Sequence, residues 1–158
     1  ETFPIGENET AGDIYDKTIK IFPDLMIRVI RELEIGIHQV QKQKLSDGTY
    51  YCKRLPRDGR IDWSSMSARQ VHDLVRALNG PSYPGAFTYL NKKKLIVWRT
   101  EKLDDVIRGP VGRVALNRKG GVVVLCKDRG ILLDSIKVKS DGRVIPSQEV
   151  LSIGQYLK

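Results

Sequence analysis

The hydrophobic period of this 158-residue sequence changes once, at about Pro84. Before that point the apolar residues recur three and four positions apart, which is typical of amphipathic helices. After it they form short runs separated by turn residues, which indicate strands. The length suits one ordinary domain with a helical lead-in. We therefore predict an α+β fold.

Two helices are predicted near the amino terminus, over residues 11–21 and 23–34. Thr10 and Asp13 form a short-armed capping box at the start of the first helix. Pro23 has no amide hydrogen and clashes with the preceding turn of a helix, so we expect it to begin the second helix.

The middle of the chain is predicted to hold one strand and one helix. Residues 49–55 read as a strand, although their apolar residues do not alternate cleanly. Ser67 and Gln70 form a capping box in front of a helical stripe, which predicts a helix over 68–78.

Five short strands are predicted in the second half. They cover residues 86–90, 95–98, 111–116, 122–125 and 131–138. Short strands at this density favour a small closed barrel, and the oligonucleotide/oligosaccharide-binding (OB) barrel has five strands. A short helix within 147–157 is expected to cover the barrel.

Several aromatic residues and both cysteines are predicted to have packing roles. Trp63 is expected to pack on the helix that follows it, with Asp62 tying down the turn, and Trp98 is expected in the core. Cys52 and Cys126 do not form a C-x-x-C pair, so we expect two buried free thiols and no metal.

The net charge of +8 lies entirely in the second half. Residues 1–83 carry 12 basic and 12 acidic side chains, and residues 84–158 carry 15 and 7. Such an excess favours a polyanionic partner, because bound phosphates release their counterions. The alternative is a basic, solvated surface without a partner.

Nine basic residues are candidate nucleic-acid contacts. They are Lys92, Lys93, Lys94, Arg99, Arg113, Arg118, Lys119, Lys127 and Arg129. The first three lie in a predicted hairpin turn, where flexible ammonium groups suit phosphates. Aromatic residues are few, at 7%, which favours recognition of folded RNA over stacking on single-stranded bases.

No apolar run approaches the roughly 20 residues that a membrane helix needs, so no membrane partner is expected. Nothing in the cysteine usage demands an oxidising compartment, and the cytoplasm is the expected location. The sequence begins with Glu1 rather than with Met, and it has no secretory signal. We therefore treat it as a fragment of a longer protein.

Four segments together carry a resemblance to a known family. They are residues 4–5 with 9–17 (PI and ETAGDIYDK), 57–63 (RDGRIDW), 75–78 with 83–89 (VRAL and YPGAFTY), and 94–98 (KLIVW). In this order they resemble the formyltransferase superfamily, which includes methionyl-tRNA formyltransferases and sugar-nucleotide N-formyltransferases.

The resemblance implies an architecture and a function. Residues 1–35 would be the helical end of a Rossmann-like catalytic domain, 36–83 a connecting segment with one helix, and 84–158 an OB-like barrel domain. The implied activity is transfer of a formyl group from 10-formyltetrahydrofolate to an amine, with this half helping to bind initiator methionyl-tRNA. A sugar-nucleotide N-formyltransferase is the alternative; a folate hydrolase of the same superfamily and a non-catalytic RNA-binding barrel module are further ones.

The sequence departs from the family at the catalytic centre. Members of the family use an Asn, a His and an Asp, the first two near a His-x-Ser-Leu-Leu-Pro motif, which is absent here. His38 and His72 lack that context and are expected to be surface or packing residues. The resemblance therefore implies no catalytic residue in this chain, a folate bound by a missing N-terminal part, no metal, and no activity of the chain alone.

Overall fold

The computed structural model describes residues 2–37, 42–80, 82–137 and 142–158, in which two helices precede a six-stranded antiparallel sheet. The helices are α1 (Ala11–Glu34) and α2 (Ala68–Ala77). The strands are β1 (Ala86–Leu90), β2 (Lys93–Lys102), β3 (Val114–Arg118), β4 (Gly121–Leu125), β5 (Gly130–Lys137) and β6 (Val144–Pro146). The predicted α+β class is confirmed.

Helix α1 is one continuous helix of 24 residues with Pro23 inside it, so the predicted break at Pro23 is wrong. The capping box of Thr10 and Asp13 begins it, as predicted. The apolar stripe keeps its phase across the proline, since Phe22 and Met26 lie four positions apart on one face. That continuous face sustains the helix despite the backbone hydrogen bond that a proline removes.

The predicted strand over 49–55 is also wrong. These residues have no regular structure and follow a short 3₁₀ turn at Leu45–Asp47. Tyr50 and Tyr51 are 86% and 92% exposed, so this segment has no neighbouring strand to bury its apolar residues. The helix predicted over 68–78 is confirmed as α2, with Ser67 and Gln70 capping it.

The sheet has the order β1-β2-β5-β4-β3, and β6 pairs with β5. All five predicted strands are present, and β6 was missed because it is only three residues long. The third strand begins at Val114 rather than at Val111, since Gly112 has a φ of +74° and interrupts the extended chain.

The two outer strands of this order, β1 and β3, do not pair with each other in the described part of the chain, so the predicted OB-like barrel is not confirmed. The C-terminal segment 154–158 hydrogen-bonds to both sides of the gap. The Val114 amide donates to the Gln155 carbonyl at 2.9 Å, and the Lys158 and Tyr89 backbones exchange two bonds of 2.8 and 2.9 Å. This segment is extended, and of the helix predicted within 147–157 only a 3₁₀ turn at Ser147–Glu149 is present.

The core lies between the inner face of the sheet and α2. Trp63 is buried beside α2, and its indole nitrogen donates to the Thr88 hydroxyl at 2.9 Å. The Asp62 carboxylate accepts bonds from Ser64 and Ser65, which lower its pKa to about 2. The predicted roles of Trp63 and Asp62 are therefore confirmed.

Two residues predicted to be buried are not in the core. Cys52 is exposed, because it lies in the irregular segment 49–55. Trp98 is only partly buried, because it projects from the outer face of β2. Cys126 is buried as predicted, and loss of solvent raises the pKa of its thiol to about 12, with a smaller effect of the Asp128 charge.

Helix α1 leaves its apolar face uncovered. None of its residues is buried, and among the described residues the only backbone hydrogen bond from its first turn to another element runs from the Gly12 amide to the Asn79 carbonyl at 2.9 Å. The exposed apolar side chains of the helix are Tyr15, Ile19, Phe22, Met26, Ile27, Val29, Ile30 and Leu33.

Candidate nucleic-acid interface

The β1–β2 hairpin projects two of the candidate lysines at its tip. Asn91 and Lys92 have φ values of +48° and +68°, the conformation of a two-residue type I′ turn. Lys92 and Lys93 are exposed. Lys94 lies on the strand rather than in the turn, opposite Tyr89. The prediction of a three-lysine turn is therefore correct for Lys92 alone.

The pairing of β2 with β5 brings Lys137 to the same face as Lys94. Lys137 lies opposite Ile96, and Lys94 is two residues before Ile96 on β2. Side chains two apart on a strand share a face, so Lys94 and Lys137 are diagonal neighbours about 7–8 Å apart at the backbone. The sequence did not reveal Lys137 as a candidate, because its proximity depends on this register.

Each of these two lysines lies over an aromatic ring. The Lys94 ammonium is 3.6 Å from the centroid of the Phe87 ring, and the Lys137 ammonium is 4.1 Å from the centroid of the Trp98 ring. A cation above a ring face is attracted by the electrons of the ring. The two positive charges are therefore held on the outer face of the sheet.

We call Lys92, Lys93, Lys94 and Lys137 the lysine end of the sheet. The described strand termini at this end of the sheet cover residues 90–93, 118–121, 137 and 142–144, so the candidates Arg118 and Lys119 lie at the same end, two or three strands away. The connection 138–141 lies outside the described residues. The described strand termini at this end are therefore rich in basic side chains.

The β4–β5 turn at the opposite end of the sheet has a different character. The Lys127 amide donates to the Met66 carbonyl at 3.2 Å, and the Asp128 carboxylate accepts from the Ala68 amide at 2.8 Å. Arg129 lies 3.8 Å from the Asp128 carboxylate. We call residues 126–129 and the start of α2 the helix end. It joins two elements and holds mixed charges.

The lysine end and the helix end are well separated. Strand β5 runs from one to the other over eight residues, or about 23 Å at about 3.3 Å per residue. Lys127 and Arg129 therefore do not share a surface with Lys92, Lys93 and Lys94.

Three further candidates lie near the β3 edge. Arg118 donates to the Asp105 carboxylate, and this bond lowers the pKa of that carboxyl group. Lys119 is exposed in the β3–β4 turn, and Arg113 is exposed beside Tyr156. The ion pair neutralises the charge of Arg118, which weakens its case as a phosphate ligand.

The last candidate, Arg99, lines a cavity of about 480 Å³ between the N-terminal segment, α2 and β2. The same cavity touches His72, which is 3% exposed. The His72 ring nitrogens lie 3.0 Å from the Thr100 hydroxyl and 3.3 Å from the Glu7 carbonyl oxygen. His72 therefore has a packing role and connects three segments, whereas His38 lies outside the described residues.

The buried polar groups of the described residues are satisfied within the protein. Every buried side-chain nitrogen or oxygen among them has a hydrogen-bond partner. No group of three His, Cys, Asp or Glu side chains in the described ranges converges as metal ligands do. In that same part of the chain, no helix has the length and apolar content to cross a bilayer.

The sequence matches a known family over most of the sheet domain and its lead-in. Residues 54–152 match the family described as "Formyl transferase, C-terminal domain". The chain belongs to this family. The resemblance seen in the four sequence segments is thereby confirmed.

Relatives of this formyl transferase C-terminal domain protein include methionyl-tRNA formyltransferases. The methionyl-tRNA formyltransferase of Clostridioides difficile (strain 630) is 30% identical over 154 residues, which are 98% of this chain and 47% of the relative. The methionyl-tRNA formyltransferase of Akkermansia muciniphila is 29% identical over 150 residues, or 92% and 47%. The chain spans about half the length of these relatives.

Solved structures with a similar fold include HypX from Aquifex aeolicus. A variant of HypX superposes with a TM-score of 0.68 at 18% identity, over 96% of this chain and 26% of HypX. HypX in complex with tetrahydrofolic acid gives 0.64 at 19% identity, with the same coverage. At this identity the likeness shows the fold of the formyl transferase C-terminal domain, including the helical lead-in.

Proposed function

We propose that this chain is the C-terminal part of a 10-formyltetrahydrofolate-dependent formyltransferase and that it helps to bind initiator methionyl-tRNA, the amine acceptor. The family membership supports the class of enzyme, and the names of the relatives support the acceptor. The observation that carries the tRNA role is the charge distribution. The whole excess of +8 lies in residues 84–158, and such an excess favours a polyanionic partner, because bound phosphates release their counterions.

In this proposal α1 is the end of the catalytic domain. The exposed apolar stripe along its 24 residues is an unusual surface for a helix that faces only water. The relatives are about twice as long as this chain. We infer that the stripe packs on the catalytic half of the protein and that the connecting segment leads from there to the sheet domain.

The chemistry of formyl transfer places the reacting groups in that other half. The reaction requires a neutral amine, a base that takes its proton, and donors that stabilise the tetrahedral intermediate. His72 is not available as a base, because both of its ring nitrogens have partners. The chain alone is expected to have no formyl transfer activity, and turnover by the purified chain would contradict the proposal. The cytoplasm remains the predicted location.

A binding experiment tests the acceptor. The chain is titrated with initiator tRNA and with an unrelated tRNA over a series of salt concentrations. We expect affinity that falls steeply with salt, because each phosphate contact contributes roughly 0.7–0.9 to the slope of log affinity against log salt concentration. Absence of binding at low salt would refute the tRNA role and would favour a sugar nucleotide as the acceptor.

A further inference from the structure

Side chains of α2 hold the chain just before α1 through its carbonyl groups. The Arg76 guanidinium donates to the Gly6 carbonyl at 3.3 Å and to the Glu9 carbonyl at 3.2 Å. The Nε2 atom of His72 lies 3.3 Å from the Glu7 carbonyl oxygen, and it is the donor of this bond because a carbonyl only accepts. Arg76 and His72 therefore bind this stretch by its backbone, whatever its side chains are.

The Asp73 carboxylate orients the Arg76 guanidinium. It accepts a bond from the Arg76 Nε at 2.9 Å, from a position three residues earlier on α2. A guanidinium is planar and its donors point in fixed directions, so this bond decides where the remaining nitrogens face. The side chain of Arg76 is only 27% exposed, which limits competition from water for the two carbonyl groups.

Two further contacts join the same stretch to the sheet. Lys102, at the end of β2, lies 2.8 Å from the Glu7 carboxylate. The Gly12 amide donates to the Asn79 carbonyl at 2.9 Å, and the Asn79 side chain donates to the Trp98 carbonyl of β2 at 2.7 Å. The chain is thus bound to the sheet domain both before and after the point where α1 begins.

From these contacts we propose that Arg76 is a positioning residue, which fixes the direction in which α1 leaves the sheet domain. Helix α1 buries none of its own residues, so its direction depends on how its first turn and the residues before it are held. It has 24 residues, or a length of about 36 Å at about 1.5 Å per residue. A rotation of about 20° at its base would move its far end by about 12 Å.

This inference goes beyond the proposed function and rests on it only for what lies beyond α1. In that function α1 is the end of the catalytic half, so the direction of α1 sets the place of the reacting groups relative to the sheet domain. Misplacement of bound groups by small distances costs large factors in rate. A clamp on backbone carbonyls suits this task, because it fixes geometry and leaves the apolar face of α1 open.

Arg69 offers a matched control on the same helix. It lies about two turns before Arg76 and also has the Asp73 carboxylate as a neighbour, at 3.8 Å. Its side chain is 81% exposed. Among the described residues it has no hydrogen bond to the chain before α1. The two arginines therefore share charge, helix and carboxylate and differ in the carbonyl contacts.

The test measures the distance between two nitroxide labels by pulsed electron spin resonance. Glu32→Cys and Lys119→Cys place them at exposed positions near the end of α1 and in the β3–β4 turn. Cys52→Ser removes the exposed native thiol, and the native Cys126 is buried. The labelled chain is mixed with an excess of unlabelled chain, so that only distances within one chain contribute.

Arg76→Met and Arg69→Met are compared in this labelled chain. Methionine removes the donors and keeps an unbranched side chain. We expect a narrow distance distribution in the parent chain and in Arg69→Met, and one at least about twofold wider in Arg76→Met, because α1 then samples several directions. A broad distribution in the parent chain, or equal widths in the two variants, would overturn the inference.

Urea unfolding, followed by the fluorescence of the buried Trp63, separates positioning from stability. An arginine that only stabilises the fold would lower the free energy of unfolding in Arg76→Met and leave the distribution narrow, which contradicts the inference. Asp73→Asn changes a half-exposed side chain and serves if Arg76→Met does not fold. It should also widen the distribution, and a width equal to that of the parent would then overturn the inference.

None of these measurements involves tRNA or folate. A chain that binds no tRNA but shows the expected widths would refute the proposed function and support the clamp. A chain that binds tRNA with a broad distribution in the parent would do the reverse.

Discussion

The two ends of the sheet contain the same kinds of basic side chain in different surroundings. At the lysine end, Lys94 and Lys137 lie over aromatic rings. At the helix end, Arg129 lies beside Asp128, whose carboxylate also accepts from the start of α2. A count of lysines and arginines would treat the two ends alike. The structure shows that Lys94 and Lys137 lie on the outer face of the sheet, whereas Arg129 lies beside an aspartate that links a turn to a helix.

This difference separates stability from binding. Changes at the helix end should alter folding and leave RNA affinity alone, whereas loss of positive charge at the lysine end should weaken RNA binding. The following predictions test that separation, from the largest expected effect to the smallest.

The reactivity of the Cys126 thiol tests whether the helix end is closed to solvent. Its pKa rises from 9.0 to about 12 on folding, because burial removes solvent from the thiolate. At pH 8 the thiolate fraction should therefore be about 1000-fold smaller in the folded chain than in urea, and alkylation correspondingly slower. The measurement uses a Cys52→Ser variant, because Cys52 is exposed. Rapid alkylation of Cys126 in the folded chain would show that the joint opens.

The Cys126 thiol also makes the free energy of unfolding depend on pH. A raised pKa in the folded state means that the folded chain retains a proton that the unfolded chain releases. The contribution of the protonated, buried thiol to stability is complete below about pH 9 and is lost as the pH rises towards about 12. Urea unfolding at pH 8 and pH 10.5 should show lower stability at the higher pH, and a Cys126→Ala variant should show a smaller decrease.

Removal of the Asp128 side chain tests what holds the helix end together. Asp128→Ala removes the acceptor of the 2.8 Å bond from the Ala68 amide and a negative charge at the start of α2. We expect the free energy of unfolding to fall by about 1–2 kcal/mol, with tRNA affinity unchanged or slightly higher. Asp104→Ala is the control, since it removes an equal charge from an exposed loop nearby. A stability loss no larger than that of Asp104→Ala would show that the Asp128 carboxylate does not hold the helix end together.

A double-mutant cycle tests whether Trp98 holds Lys137. The changes are Trp98→Leu and Lys137→Met, which remove the ring and the charge and keep an apolar side chain at each position. With the ammonium 4.1 Å from the ring centroid, the coupling free energy should be about 0.5–1 kcal/mol. Additive effects would show that the ring does not position the lysine.

The smallest expected effect is a gain in stability at the lysine end. Lys92 has a φ of +68°, a backbone conformation that is strained for a residue with a Cβ atom and that glycine adopts readily. Lys92→Gly gives the Asn-Gly pair favoured in type I′ turns and should raise the free energy of unfolding by about 0.5–1 kcal/mol. It should also weaken tRNA binding several-fold. Lys93→Gly, on strand β2, should weaken tRNA binding and lower the free energy of unfolding. Comparison of the two glycine variants therefore separates the effect of the lost charge from the effect of relieved backbone strain.

Local features of the fold could be predicted from the sequence. The capping boxes at Thr10 and Ser67 and the turn at Asn91 are formed by neighbours in the chain, and all three are present. The strands of the second half were also predictable, because alternation and turn residues indicate them without knowledge of their partners.

The sequence could not show which segments meet. Residues 49–55 have the composition of a strand but find no partner, and α1 continues through Pro23 because its apolar stripe keeps its phase. For the candidate site, Lys92 could be placed at a turn, but the proximity of Lys137 depends on the register of β2 and β5. The separation of Lys127 and Arg129 from the lysine end has the same origin.

The C-terminal segment 154–158 has a consequence for association between chains. It occupies hydrogen-bonding groups of Val114 on one outer strand and of Tyr89 on the other. Without it, two sheet edges would present open backbone groups, which are templates for pairing with another molecule. These few residues therefore protect both sheet edges. A chain shortened here should associate with other chains through the exposed backbone groups of β1 and β3.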